Sequence, residues 1–407
     1  MHRFPPLLPR VLLVTILGIS SGFYVIGVDA QLPNASLVVT RQRLLSMLRE
    51  KRTGLETTNR ILITQVEEDG IDFEIDESLE TELRSLGATD ELIMAIRHWL
   101  CDKYSTLAED CEEKDFKCRI QNLSKAIQFH PDDEATYIDR GVAFAESGDR
   151  TAALKDYEKA IEIAPKNPFG YNNRARIYSD MGRFEDAIRD YDRAIALDPK
   201  DPDYLANRGA EYFNAGKYEN AEKDYSAWIA LDPKNPQAYI YRGDANHRLG
   251  RSREAVNDYS KAIEIDPNNS AARYHRAQLY LDKKDYENAL LDISKFIDAE
   301  PNDSDGFSLR GAVYLDIGDL KRAVADLNEA IRLEPDFAGN YTNRGLAYLR
   351  MEDYGKAIAD STKAIELDPV DDIAFFNRSI AYEETGESAK AAADKKRHEE
   401  LNKTKKP

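Results

Sequence analysis

The sequence predicts an all-α fold, a solenoid of antiparallel helix pairs with a small helical module before it. Eight prolines, Pro131, Pro165, Pro199, Pro233, Pro267, Pro301, Pro335 and Pro369, stand 34 residues apart without slippage. A fixed period of that length marks a repeat array. Inside each period, apolar and small residues recur at three- and four-residue spacings on both sides of a break, which is the pattern of two helices. The run Tyr171–Tyr178, the break at Gly182 and the run Phe184–Pro199 show it.

Comparing the copies separates framework from variation. One column is alanine in all eight: Ala153, Ala187, Ala221, Ala255, Ala289, Ala323, Ala357 and Ala391. A second is Arg140, Arg174, Arg208, Arg242, Arg276, Arg310, Arg344 and Arg378, and a third Asp156, Asp190, Asp224, Asp258, Asp292, Asp326, Asp360 and Asp394. The alanines let two helices approach closely. An arginine on the first helix matched in every copy by an aspartate on the second implies a repeated charge-assisted bond. Asp133, Asn167, Asp201, Asn235, Asn269, Asp303 and Asp371 read as caps of first helices, with Pro168, Pro202 and Pro236 at the next position. Gly148, Gly182, Gly216, Gly250, Gly318 and Gly386 read as the turns inside the pairs, with Lys284 and Glu352 in that place twice.

These columns resemble the tetratricopeptide repeat over about residues 132–403. The small residue at Gly141, Gly209, Gly243, Gly311 and Gly345 is followed three positions later by Phe144, Tyr212, Tyr314 and Tyr348 in four of those units, while Asn246 stands where an aromatic is usual. A second alanine, at Ala160, Ala194, Ala262, Ala330 and Ala364, and the closing proline complete the pattern; Trp228 and Phe296 depart from it, so packing there must open or shift. The resemblance implies eight units, a right-handed superhelix, and a concave groove lined mainly by first helices. By that geometry the groove holds Asn172, Asn173, Arg176, Asn207, Tyr241, Asp244, His247, Tyr274, His275, Gln278, Asn343 and Asn377. Asparagine can bond an extended backbone and tyrosine gives an amphipathic surface. The paired Lys and Asn of chaperone-binding members of the family are missing.

Upstream, residues 1–30 read as a signal peptide or a membrane anchor. Arg3 and Arg10 precede an apolar run through residues 11–28, and Val28-Asp29-Ala30 offers small residues for cleavage before Gln31. Either reading places the repeats outside the cytoplasm, secreted or periplasmic, or anchored facing outward. Residues 31–40 are expected to be a linker. Residues 41–100 are expected to form the small module, with Gly70 and Gly87 ending helices and Asp90 near the start of another; it is similar to a short module beside repeat arrays in bacterial multidomain proteins. Residues 101–131 read as a degenerate capping unit, since terminal repeats lack one neighbour. Residues 404–407 form a basic tail.

The chain has three cysteines, Cys101, Cys111 and Cys118. Cys111 and Cys118 flank a turn and are the candidate disulfide; with His98 and Cys101 they are also four candidate zinc ligands, although no Cys-x-x-Cys knuckle is present. No P-loop, Gly-x-Ser-x-Gly or His-Glu-x-x-His occurs, so no catalytic residue, metal or cofactor is expected, and the enzyme alternative rests on His247 and His275 alone. The formal charge of −18 argues against nucleic acid as partner. Seven Asn-x-Ser/Thr sequons occur. Two of them, at Asn122 and Asn377, fall on packed helix faces, so the set reads as chance matches and the chain as a bacterial envelope protein. The expected function is a non-enzymatic scaffold holding a protein or peptide segment in its groove. The alternative is a self-assembling structural component pairing through Trp228 and Phe296.

Overall fold

A computed structural model describes residues 38–50 and 54–404. The expected signal or anchor, Asn34, and all but the first residue of the basic tail lie outside them. Among the described residues there are 21 helices and no strand, and no helix is long and apolar enough to cross a membrane. The chain divides into two compact units, Met1–Leu100 and Cys101–Pro407.

The first unit contains α1 (Arg41–Glu50), α2 (Leu55–Asp69), α3 (Glu77–Ser85) and the start of α4 (Asp90–Glu109). Leu44, Leu48, Leu62, Val66, Leu83, Leu92 and Ile96 form its core. Asn59 ties α2 to the turn before α4: its Nδ2 donates to Gly87 O at 3.0 Å and its Oδ1 accepts from Thr89 N at 3.0 Å. Val39 corrects the expected linker. It is fully buried, its N–H donates to Gly70 O at 2.8 Å, and it pairs with Ile71 in an isolated bridge. A β-branched residue beside the open backbone after α2 finds both apolar cover and a hydrogen-bond partner there.

The second unit starts inside α4 and continues with α5 (Phe116–Phe129). The degenerate unit therefore has no first helix of its own length. The end of α4 serves in that role, stacking Tyr104 on Phe129 at 5.8 Å between centroids. Eight helix pairs follow. They are α6 (Glu134–Glu146) with α7 (Arg150–Ile163), α8 (Pro168–Asp180) with α9 (Phe184–Leu197), α10 (Pro202–Asn214) with α11 (Tyr218–Leu231), and α12 (Pro236–Arg248) with α13 (Ser252–Ile265). The remaining four are α14 (Ser270–Asp282) with α15 (Tyr286–Ala299), α16 (Ser304–Ile317) with α17 (Leu320–Leu333), α18 (Ala338–Arg350) with α19 (Tyr354–Leu367), and α20 (Asp372–Glu384) with α21 (Ser388–Thr404). Each helix packs on the next, giving an all-α superhelical repeat stack.

Local chemistry explains the regularity. Seven of the eight first helices carry a side-chain cap from the Asp or Asn column, and α18, preceded by Phe337, has none. Lys284 and Glu352 take the left-handed turn position at φ 58° and 61°, a conformation that costs a side chain about 1 kcal/mol. The invariant alanines are all buried, seven of them completely.

Each column arginine makes a forked bond to its aspartate. Arg208 Nε and Nη2 donate to Asp224 at 2.8 and 2.7 Å, and the other pairs match, down to Arg378 with Asp394. Six of the arginines also reach back sixteen residues to the preceding unit through Nη1, to Ser124, Asp192, Ser226, Ser260, Asn328 or Thr362. All eight lie over an aromatic ring of their own helix. Where Asn246 replaces the usual aromatic, its Nδ2 donates to Asp258 at 3.0 Å and adds a bond to the same carboxylate.

One core position breaks the apolar rule. Glu211 stands where other units have Ala143, Ile177, Ala245, Leu279 or Val313. It is 5% exposed; Ser179 donates to its Oε1 at 2.6 Å, and Oε2 has no partner among the described residues. Burial, and then the Asp180 charge, push its carboxyl above the ordinary glutamate value against that hydrogen bond. The folded state therefore binds this proton more tightly than the unfolded chain, and stability is lost as pH rises through the interval between the two pKa values.

Two outcomes are expected. Arg208→Ala lowers stability by about 3 kcal/mol because it strands a buried aspartate. The exposed Arg176→Ala changes it by no more than about 0.5 kcal/mol. Urea unfolding followed by amide exchange in α10 and α11 checks this, and equal losses contradict it. Glu211→Gln raises Tm at neutral pH, and the gain shrinks as pH falls to about 4, where the free carboxyl protonates. A gain independent of pH contradicts the charge argument.

Candidate binding groove

Each first helix presents a stripe made of the residue before the column arginine and the residue two after it. Along the units the first position is Asp139, Asn173, Asn207, Tyr241, His275, Leu309, Asn343 and Asn377; the second is Val142, Arg176, Ala210, Asp244, Gln278, Ala312, Leu346 and Ile380. The framework repeats while the stripe varies. Asn173, Asn207, His275, Gln278 and Asn343 are half-buried, and Arg176, Tyr241 and His247 are exposed. Asn172 and Asn207 meet across adjacent units, Nδ2 of Asn207 donating to Oδ1 of Asn172 at 3.2 Å.

Asn377 does not fit the expected set. It is 2% exposed, and its amide donates to Thr342 O on α18 at 3.4 Å. The second helix also differs there. At the position sixteen residues after the small residue of the first helix, the units carry Tyr157, Tyr191, Tyr225, Tyr259, Ile293, Leu327, Ser361 and Lys395. The three upstream glycines facing this column, Gly141, Gly209 and Gly243, leave so little room that a Cβ there would lie 2.5–2.7 Å from the tyrosine ring.

The side chain in this column acts as a wedge between successive first helices. The backbones of α18 and α20, over Ser361, run close together; α16 and α18 over Leu327 are further apart, and α14 and α16 over Ile293 further again. Across Tyr191, Tyr225 and Tyr259, from α8 to α14, successive first helices scarcely approach. Tyr157 is the exception, with α6 and α8 about as close as α16 and α18. Asn377 is buried where the column residue is the small Ser361 and α20 lies close to α18.

The centre of the stripe is built from rings. Tyr241 lies 5.5 Å from Tyr225 and 6.1 Å from Trp228 between centroids, and it remains 37% exposed. His275 stacks on Tyr259 at 5.6 Å, and Tyr274 packs against Phe296 at 5.2 Å. Burial, with the nearby Asp305 and Asp303, pushes the Tyr274 hydroxyl up to about 12. Tyr259 donates its hydroxyl to Asp244 Oδ1 at 2.7 Å. Burial raises the Asp244 carboxyl above the usual carboxylate range, opposed by His275, the Tyr259 bond, His247 and Arg248. Between α10 and α12 a cavity of about 220 Å³ is lined by Ala210, Phe213, Asn214, Tyr225, Tyr241 and Asp244.

The structure thus brings Tyr241, Asp244, His247, Tyr274, His275 and Gln278 together on neighbouring helices, and Asn172 with Asn207. Asn343 stands apart on α18. Sequence reading missed Phe213, Asn214 and Tyr225, although the tyrosine column that ends after Tyr259 is a visible signal. Trp228 and Phe296 are each 6% exposed. They fill the space between pairs, so the expected self-assembly through them has no surface to use.

Cys111 and Cys118 are joined by a disulfide, their Cα atoms 6.0 Å apart. That bond removes two of the four sulfur and nitrogen ligands considered for zinc. Cys101 is a buried free thiol, raised above its ordinary value by burial. Its sulfur, a His130 ring nitrogen and an Asp133 oxygen lie within 4.8 Å of one another. Asp133 is already engaged there: it caps α6, accepting from Thr136 N at 3.2 Å, and the Cys101 thiol points to it at 3.9 Å. Asp133 and Cys101 are thus already engaged at the α6 cap.

The repeat units match known family models. Family models described as tetratricopeptide repeat match residues 172–236 and 208–270, 259–290, and 338–371, and one described as TPR repeat matches 141–182 and 311–352. The gap between them contains Phe296, where the second alanine is replaced. No curated protein matches the chain. Among solved structures, a tetratricopeptide repeat protein from Parabacteroides merdae is 24% identical, over 61% of this chain and 98% of its own, with a TM-score of 0.49. PilF of Pseudomonas aeruginosa is 19% identical over 50% of this chain and 92% of its own, at 0.44. YrrB, described as a TPR protein with an unusual peptide-binding site, is 22% identical over 46% of this chain and 96% of its own, at 0.40. With its matched segments at residues 141–290 and 311–371, this chain is a tetratricopeptide-repeat protein.

Proposed function

We propose that the protein is a non-catalytic scaffold that holds a segment of another protein against the first helices of its second to fifth repeat units. The tetratricopeptide fold is a protein-interaction scaffold. The observation that carries the reading for this chain is the contrast between an invariant Ala–Arg–Asp framework and a stripe that differs in every unit. Repetition serves stacking; variation on one continuous face serves recognition. That face is most open over α8 to α14, where the tyrosine wedges stand and where the exposed Tyr241 lies beside a half-buried carboxylate.

The proposed place of action is outside the cytoplasm, with the protein either free or tethered through residues 11–28. Support comes from the Arg3–Ala30 pattern and from the Cys111–Cys118 disulfide, a bond favoured in oxidising compartments. A second reading, self-assembly, keeps one observation in its favour. Val370, Ile373 and Phe376 are 58%, 53% and 42% exposed near the last helix pair. They mark the surface on which that reading now depends.

Capture from fractionated envelope extract tests the proposal. The wild-type chain is expected to retain discrete partners that the Tyr241→Ala/Tyr274→Ala variant loses, with the protein itself recovered outside the cytoplasmic fraction. Unchanged capture by the variant overturns the groove, and cytoplasmic recovery overturns the placement.

A further inference from the structure

The cavity between α10 and α12 has a composition that selects one kind of guest. It is lined by the aromatic residues Phe213, Tyr225 and Tyr241, by Ala210, and by the polar Asn214 and Asp244. At about 220 Å³ it is smaller than the ~300–1,000 Å³ typical of small-molecule and cofactor sites. A single side chain fits such a volume.

Asp244 supplies the sign. Its Oδ1 is held by the Tyr259 hydroxyl at 2.7 Å, which fixes the carboxylate's orientation. Among the described residues nothing donates to Oδ2. Burial raises this carboxyl above the usual carboxylate range, while His275, the Tyr259 bond, His247 and Arg248 favour its ionised form; neither histidine nor Arg248 lines the cavity, so a cationic guest there would add to that side of the balance. In its column Asp244 is the only carboxylate, the other units offering Val142, Arg176, Ala210, Gln278, Ala312, Leu346 and Ile380. Aromatic faces attract a cation through their quadrupoles, and more strongly where water is excluded. A fixed carboxylate beside three rings, in a chain of net charge −18, is complementary to a positive guest and repels an acidic one.

We propose that this cavity receives a lysine or arginine side chain of the bound segment, its charged end on Asp244 and its stem against the rings of Phe213 and Tyr241. The proposal rests on the groove reading above and gives that groove an anchor residue. It also fixes where the segment crosses the stack, between the third and fourth units.

A random linear peptide library selected on the immobilised full chain tests it. The expected result is a set of binders sharing one basic position. Replacing that residue by norleucine, which keeps the stem and removes the charge, is expected to weaken binding to the wild type roughly tenfold or more. Against Asp244→Asn, whose amide oxygen can still accept from Tyr259, the same replacement is expected to change little. That non-additivity assigns the basic side chain to Asp244. Binders with no common basic position, or an equal norleucine penalty against both proteins, overturn the cavity assignment and leave the groove reading standing. Selection of no binder at all overturns both.

Discussion

Eight arginines each hold several parts of the array at once. The guanidinium forks onto the aspartate sixteen residues later, lies over a ring on its own helix, and in six units donates to a side chain sixteen residues earlier. A planar fork of five donors is the one side chain that can meet all these demands. The partly buried charge is not a net gain by itself, because desolvation offsets much of the Coulomb attraction. Its effect is geometric. The two helices of every unit, and six of the units with their predecessors, are set in one register.

With the register fixed, a single column is left to vary the architecture. The wedge side chains behind the first helices run from tyrosine through isoleucine and leucine to serine, and the spacing of those helices narrows in the same order, Tyr157 apart. From the second unit onward, a groove open to the fifth unit and closed at the seventh and eighth tracks the volume of this side chain. The same tyrosines contribute their rings to the open part, and Tyr259 orients Asp244. The groove's spacing and its chemistry therefore come from the same residues.

Much of this was legible in the sequence. Period, helix pairs, caps, turns and the Arg–Asp partnership are local or strictly repeated, so one chain compared with itself reveals them. Groove membership was only partly legible. Tyr241, Asp244, Tyr274 and His275 were recognisable as first-helix variation, but Asn377 sits in the column of Tyr241 and His275 and is buried. Its burial goes with Ser361, a residue of another helix. Trp228 and Phe296 were read as places where packing must open or shift, with pairing through them as the alternative, because a large residue in an alanine column signals either a filled gap or a protrusion, and only packing decides which. Val39 was assigned to a linker since its partners, Gly70 and Ile71, lie some thirty residues away.

The most direct test of the account is the crystal structure of the Tyr225→Ser variant. The arginine–aspartate forks are expected to remain, while α12 closes on α10 to the spacing that α20 keeps from α18, and the cavity beside Asp244 disappears. Helices that stay apart over an emptied wedge position would contradict the account, because the opening of the groove would then owe nothing to the tyrosine column.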